Sequence, residues 1–147
     1  MKKKVLAFIT NGKEFLALRN NSEDTSHGED FWFTVTGSVE DETLEEAVKR
    51  EIKEETNLDA QEIFSLNWGS IYEWSGEECQ ESNYLAIVSS GDIMLNEEHT
   101  EFKWLGLDEF VNIIKWYDDK DLLKKILKLA LKKKTLFNEM NFVDYRK

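Results

Sequence analysis

The chain has 147 residues, of which 30 are Asp or Glu and 19 are Lys or Arg, for a net charge of −11. Its length predicts one domain over residues 1–147, and a 41% hydrophobic content excludes an intrinsically disordered chain. So acidic a surface excludes a dedicated nucleic-acid binder, because that affinity comes from Lys and Arg neutralising phosphates; an acidic protein that handles phosphates needs a metal. The apolar run Val5 to Ile9 is too short for a signal peptide, no run is long enough to cross a membrane, and Cys79 stands alone. A reducing, cytoplasmic compartment is expected, with no membrane partner.

Taken in chain order, Val5 to Ile9 and Phe15 to Leu18 predict strands joined in a hairpin at Asn11-Gly12. A polar loop fills residues 20–30, and Phe31 to Thr36 predicts a strand ending at Gly37. A helix starts near Thr43, whose spacing to Glu46 fits a capping box, and runs to Asn57, a tolerable terminator in place of Gly. Ile63 to Tyr72 and Tyr84 to Val88 read as strands joined by the polar loop Ser75 to Ser82, and Phe102 to Leu105 as a further short strand. Asp108 is placed to cap a helix through Ile114, and Asp121 to about Lys134 forms another, with Leu122, Leu123, Ile126, Leu127 and Ala130 on one side. This order predicts sheet and helices packed in layers, the α+β class.

The central helix breaks the usual separation of charge from the apolar face. With Glu51 at zero and about 100° per residue, Leu44, Ala47, Val48 and Leu58 fall within roughly 60° of it, and Glu54 and Glu55 fall on the same side. Three carboxylates converging on a buried face repel one another and would protonate unless a cation sits among them. A solvated acidic helix, with Arg50–Glu54 and Glu45–Lys49 pairs, is the plainer alternative.

Gly37-Ser38-Val39-Glu40-Asp41-Glu42 and Arg50-Glu51-Ile52-Lys53-Glu54-Glu55-Thr56-Asn57-Leu58 resemble the Nudix box, Gly-x5-Glu-x7-Arg-Glu-U-x-Glu-Glu-x-Gly-U, with U a bulky aliphatic residue. The chain departs from it twice: four residues rather than five separate Gly37 from Glu42, and Asn57 stands at the last glycine position. Phe31-Trp32, Val35 to Glu40, Glu98-His99 and Lys103-Trp104-Leu105 look like the bacterial subgroup that hydrolyses dihydroneopterin triphosphate and nucleoside triphosphates.

The resemblance implies an α/β/α sandwich with a mixed central sheet. It implies Mg²⁺, or Mn²⁺, held by Glu51 and Glu55, with Glu54 as a further ligand or the group orienting the attacking water, and Glu98 as an additional metal-binding acid. Glu54, Glu55 and Glu98 are thus the expected catalytic acids. Glu42 and Arg50 would form a structural ion pair, and Thr36 would contact substrate; Arg19 is a plausible phosphate contact at its strand end. The implied reaction is Mg-dependent cleavage of a nucleoside or pterin triphosphate to the monophosphate and pyrophosphate. A dinucleoside polyphosphate (Ap4A-type) or nucleotide-sugar hydrolase stays open, as does a noncatalytic nucleotide-binding module.

Of the remaining signals, Trp68, Tyr72 and Trp74 could stack a base or pterin, although strand aromatics are more often core. His27 and His99 read as solvent contacts, with a catalytic part open to His99 beside Glu98. The lysines from Lys120 to Lys134 read as the wet side of a packed helix. Exposed aromatics would support a homodimer.

Overall fold

Strand β1 (Lys2–Thr10) is apolar on both faces because the domain covers it on both. Alternation along a strand sends successive side chains to opposite faces. Leu6 and Phe8 enter one core, and Val5, Ala7 and Ile9 enter the other. The computed structural model describes residues 1–20, 31–89 and 91–146; most of the polar loop over 20–30, with His27, lies outside the described residues. The elements after β1 are β2 (Phe15–Asn20), β3 (Trp32–Phe33), β4 (Val35–Ser38), α1 (Leu44–Thr56), β5 (Ala60–Trp74), β6 (Glu77–Val88), β7 (His99–Leu105), α2 (Leu107–Ile113), α3 (Lys120–Leu131) and β8 (Asn141–Asp144).

Eight strands form one mixed sheet in the order β3-β2-β1-β6-β5-β8, with β4 pairing β1 and β7 pairing β2. The β1–β6 and β5–β8 pairs are parallel and the rest antiparallel. Helix α1 packs Ala47, Val48 and Ile52 on one face of this sheet. Helices α2 and α3 pack Phe110, Val111, Leu123, Ile126, Leu127 and Ala130 on the other. The layered α+β arrangement with a mixed sheet is therefore the expected one.

Several boundaries differ from expectation. The Ser75 to Ser82 stretch is mostly strand: β6 begins at Glu77, after a two-residue turn in which Ser75 (φ 52°) and Gly76 (φ 77°) both adopt the left-handed conformation a tight hairpin demands. Polar residues hid this strand because its outer half is paired but not wholly buried. The Asn11-Gly12 hairpin exists with a four-residue loop, in which Asn11 Oδ1 accepts from the backbone N–H of Lys13 and Glu14. The expected strand over Phe31 to Thr36 splits at Thr34: β3 pairs β2, β4 pairs β1, and Thr34 Oγ1 donates to Ala7 O at 2.5 Å.

Gly106, not Asp108, occupies the N-cap of α2, and Asp108 instead pairs with Lys124 at 2.6 Å. Asp119 caps α3 by accepting from the N–H of Asp121 and Leu122, so that helix starts one residue before the expected Asp121 and ends at Leu131. Strand β8 has no counterpart in the sequence reading; it is short, half-exposed and held mainly by pairing with β5.

Candidate active site

Helix α1 is fixed at both ends by side-chain chemistry. Thr43 Oγ1 accepts from Glu46 N–H at 3.1 Å while Glu46 Oε1 accepts from Thr43 N–H at 2.8 Å, the reciprocal capping box. Asn57 takes the left-handed conformation (φ 69°) and donates its N–H to Lys53 O at 3.0 Å, so it does the work of the missing glycine. Between these caps the acidic residues separate by burial: Glu55 is 2% exposed, Glu51 half-buried, and Glu54 exposed at the rim. The wheel placed all three on the apolar side; the packed arc is centred nearer Ile52 and Glu55, which leaves Glu54 in solvent.

Arg50 joins the helix to the loop before it. Its Nε and Nη2 donate to Glu42 at 3.0 and 2.7 Å, Nη2 also donates to Ser38 O at 3.0 Å, and Nη1 donates to Glu51 at 2.8 Å. Hydrogen bonding from Arg50 holds the Glu42 carboxyl below the usual range. A bidentate guanidinium–carboxylate pair of this kind sets geometry as well as energy. The loop that is one residue short of the family pattern still closes, with Glu40 N–H donating to Glu42 at 2.9 Å. Gly37 meets the helix here: a Cβ on it would lie 2.2 Å from Glu51 Cδ, so any side chain at this position would have to push that carboxylate aside.

Glu55 is the group that asks for a cation. Its Oε2 is buried without a hydrogen-bond partner. Burial first, then a hydrogen-bonding contact with Glu51 and the charges of Glu98, Glu51 and Glu54, push its carboxyl up to about 11. An all-oxygen donor set around an orphaned buried carboxylate oxygen suits a hard divalent ion such as Mg²⁺ or Mn²⁺. Among the described residues no three acidic, His or Cys side chains converge closely enough, as they stand, to enclose one. Glu51 is turned onto Arg50, Glu54 is in solvent, and Glu98, whose Oε2 accepts from Asn96 Nδ2 at 3.2 Å, lies on an exposed turn. The donors fit the ion chemically and need side-chain rotation to surround it. His99, read from sequence as a solvent contact, is brought in at the start of β7 with Nδ1 3.6 Å from Glu55 Oε1.

A cleft of about 560 Å³ is lined by Glu55, Glu98, His99 and Thr36, and also by an aromatic wall that includes Phe31, Tyr72, Trp74 and Tyr117. The charges acting on Glu55 are those of the helix acids and Glu98, whereas the charge acting on Glu81, another lining residue, is that of Lys4. The cleft is therefore lined both by acids and by aromatic rings. Trp68 does not reach it; it is buried against Trp116 with ring centroids 5.6 Å apart. Arg19 is not among the lining residues either, and its Nη1 donates to Glu101 at 2.6 Å. Sequence reasoning missed Glu81, Tyr117 and Tyr145. The first lay in a segment taken for loop, and the other two follow α2, where no pattern pointed to a ligand.

Comparison with known proteins gives the family. A family model described as the NUDIX domain matches residues 2–126. The dihydroneopterin triphosphate diphosphatase of Haemophilus influenzae is 30% identical over 113 residues, covering 67% of this chain and 72% of that protein. The NAD-capped RNA hydrolase NudC of the same species is 32% identical over 107 residues, covering 71% of this chain and 39% of that longer protein. Among solved structures, a C. elegans Ap4A hydrolase superposes with a TM-score of 0.68 at 24% identity, covering 90% of this chain and 99% of that one. The E. coli dihydroneopterin triphosphate pyrophosphohydrolase superposes with a TM-score of 0.63 at 23% identity, covering 86% and 95%. The family model that spans residues 2–126 and the 30% identical relative make this chain a member of the Nudix hydrolase family.

Proposed function

We propose that the protein is a Mg²⁺-dependent pyrophosphohydrolase that cleaves a nucleoside or pterin triphosphate to the monophosphate and pyrophosphate. The observation that carries this reading is one cleft lined by both acids and aromatic rings, which suits a cation-bound polyphosphate attached to a flat ring. Glu51, Glu54, Glu55 and Glu98 would hold the divalent ion, which when bound supplies Lewis-acid neutralisation of the phosphate charge. Arg50, pinned by Glu42, keeps Glu51 oriented beside Gly37. An acid of this set left uncoordinated takes the proton of the attacking water. Thr36 borders the cleft where a ribose or phosphate would lie.

The reading is tested by phosphate release from a panel of GTP, ATP, CTP, UTP, dihydroneopterin triphosphate, Ap4A and a nucleotide sugar, each with and without added inorganic pyrophosphatase and across a Mg²⁺ titration. Phosphate that appears from triphosphates only when pyrophosphatase is present, and rises with Mg²⁺, is the expected result. Turnover of Ap4A in preference to every triphosphate would replace the reading with the dinucleoside one. Binding without turnover of any member would replace it with the noncatalytic one.

A further inference from the structure

Glu81 is a buried acid that the hydrolytic chemistry does not use. It sits on β6, 5% exposed, and lines the cleft beside Lys4, Tyr72 and Tyr117. Tyr72 Oη donates to its Oε2 at 3.2 Å, its sole hydrogen bond among the described residues. A carboxylate offers about four acceptor positions, and the Tyr72 hydroxyl meets one of them. Burial pushes this carboxyl up, opposed by the charge of Lys4, its register neighbour on β1, and by the Tyr72 hydrogen bond. The second oxygen is thus an acceptor inside an aromatic-walled cleft with no protein donor assigned to it.

The chemistry of that acceptor selects among flat rings. An ionised carboxylate only accepts, so it matches an edge with two adjacent N–H donors. Guanine presents such an edge through its ring N1–H and its exocyclic amino group, and a pterin presents the same amide N–H beside an amino group. Adenine and cytosine set a ring acceptor beside their amino donor, and uracil sets a single N–H between two carbonyls. Resting on the reading of the cleft as a triphosphate site, we propose that Glu81 is the specificity-determining residue, accepting the paired N–H donors of a guanine or pterin ring held against Tyr72, Trp74 and Tyr117.

Two measurements on wild type and Glu81→Gln test this. The first is kcat/KM for GTP, dihydroneopterin triphosphate, ATP, CTP and UTP. The second is binding of guanosine, neopterin and adenosine in EDTA, followed by tryptophan fluorescence, which involves neither metal nor phosphate. A good bidentate contact to a base edge discriminates by about 5- to 150-fold, and an amide that turns one acceptor into a donor forfeits much of that. Glu81→Gln should lower kcat/KM for GTP and dihydroneopterin triphosphate by about 10- to 100-fold while changing ATP by less than about threefold, and should abolish the preference for guanosine or neopterin over adenosine. The ratio of GTP to dihydroneopterin triphosphate turnover assigns the natural ring.

A wild type indifferent to the base overturns the proposal. So does a variant that loses all five substrates equally along with thermal stability, which would make Glu81 a structural counter-charge to Lys4. If no triphosphate is turned over, the hydrolytic reading fails, and the nucleoside arm still decides for or against Glu81. If Glu81→Gln does not fold, Glu81→Asp, which keeps both acceptors one methylene further back, should give the same base-selective loss.

Discussion

Replacing Glu55 with Gln separates the folding cost of the buried acid from its use. In metal-free protein the folded-state carboxyl is raised far above its ordinary value of 4.5 by burial and by Glu51, Glu98 and Glu54. The sign follows from linkage: a raised acid contributes stability fully present below about pH 4.5 and lost as pH climbs toward the folded value. Between pH 5 and 7 the unfolded state has released this proton and the folded state has not. Each pH unit then costs at most about 1.4 kcal/mol, so the whole interval costs about 2 to 3 kcal/mol. Glu55 is 2% exposed, so solvent screening does little to reduce this. Urea unfolding in EDTA at pH 5 and pH 7 should therefore show wild type losing about 2 to 3 kcal/mol more than Glu55→Gln over the interval. Adding Mg²⁺ at pH 7 should restabilise wild type and leave the variant unmoved, and turnover by the variant should fall by orders of magnitude. Parallel pH profiles for the two proteins, or equal stabilisation by Mg²⁺, would refute the argument that Glu55 is buried for a cation.

Two further substitutions probe the parts around it. Gly37→Ala drives a methyl group to 2.2 Å from Glu51 Cδ, and should cost about 1 to 3 kcal/mol at most while lowering turnover at least tenfold, because the flexible carboxylate yields before the backbone does; calorimetry and initial rates together check this. Arg50→Met leaves the carboxylates of Glu42 and Glu51 without their shared cation, and should lower the midpoint of urea unfolding. The penalty should shrink progressively as pH falls below about 4.5, where Glu42 takes up a proton in the unfolded state first, and should be gone only once pH has passed below its depressed folded value.

The legible parts of the molecule were those with local causes. Capping at Thr43 and Asn57 depends on residues within one turn, and both ends of α1 form as their side chains dictate. The unbroken apolar run Val5 to Ile9 marked β1, and helical spacing marked the packed side of α3, for the same reason. The illegible parts depended on partners far along the chain. Lys2 to Lys4 and Glu77 to Ser82 look like loop by composition, yet β1 and β6 pair in parallel through those very positions, from Lys2 opposite Cys79 to Val5 opposite Ser82. The same distance effect divided the candidate site. Glu51, Glu54 and Glu55 were readable from one helix, whereas the aromatic wall gathers Tyr72 and Trp74 from β5 with Tyr117 and Tyr145 from the C-terminal third. Arg19, placed on the substrate side by its strand position alone, is held by Glu101, whose approach depends on β2 pairing β7.

The placement of Arg50 bears on how so acidic a chain tolerates a cluster of acids. Its guanidinium is shared among Glu42, Glu51 and, at 3.4 Å, Glu54, so it neutralises part of the helix's charge without occupying the position beside Glu55. Were Arg50 to reach Glu55 directly, that carboxyl would be satisfied by protein and a cation would have to displace a covalently tethered competitor. Glu42 prevents this by holding two of the guanidinium nitrogens on the loop side, which leaves Glu55 Oε2 as the one unsatisfied oxygen among these helix carboxylates buried deeply enough to need a partner. The structural pair thus acts on the chemistry indirectly: it draws the cation of the protein away from the place where the cation from solution is required.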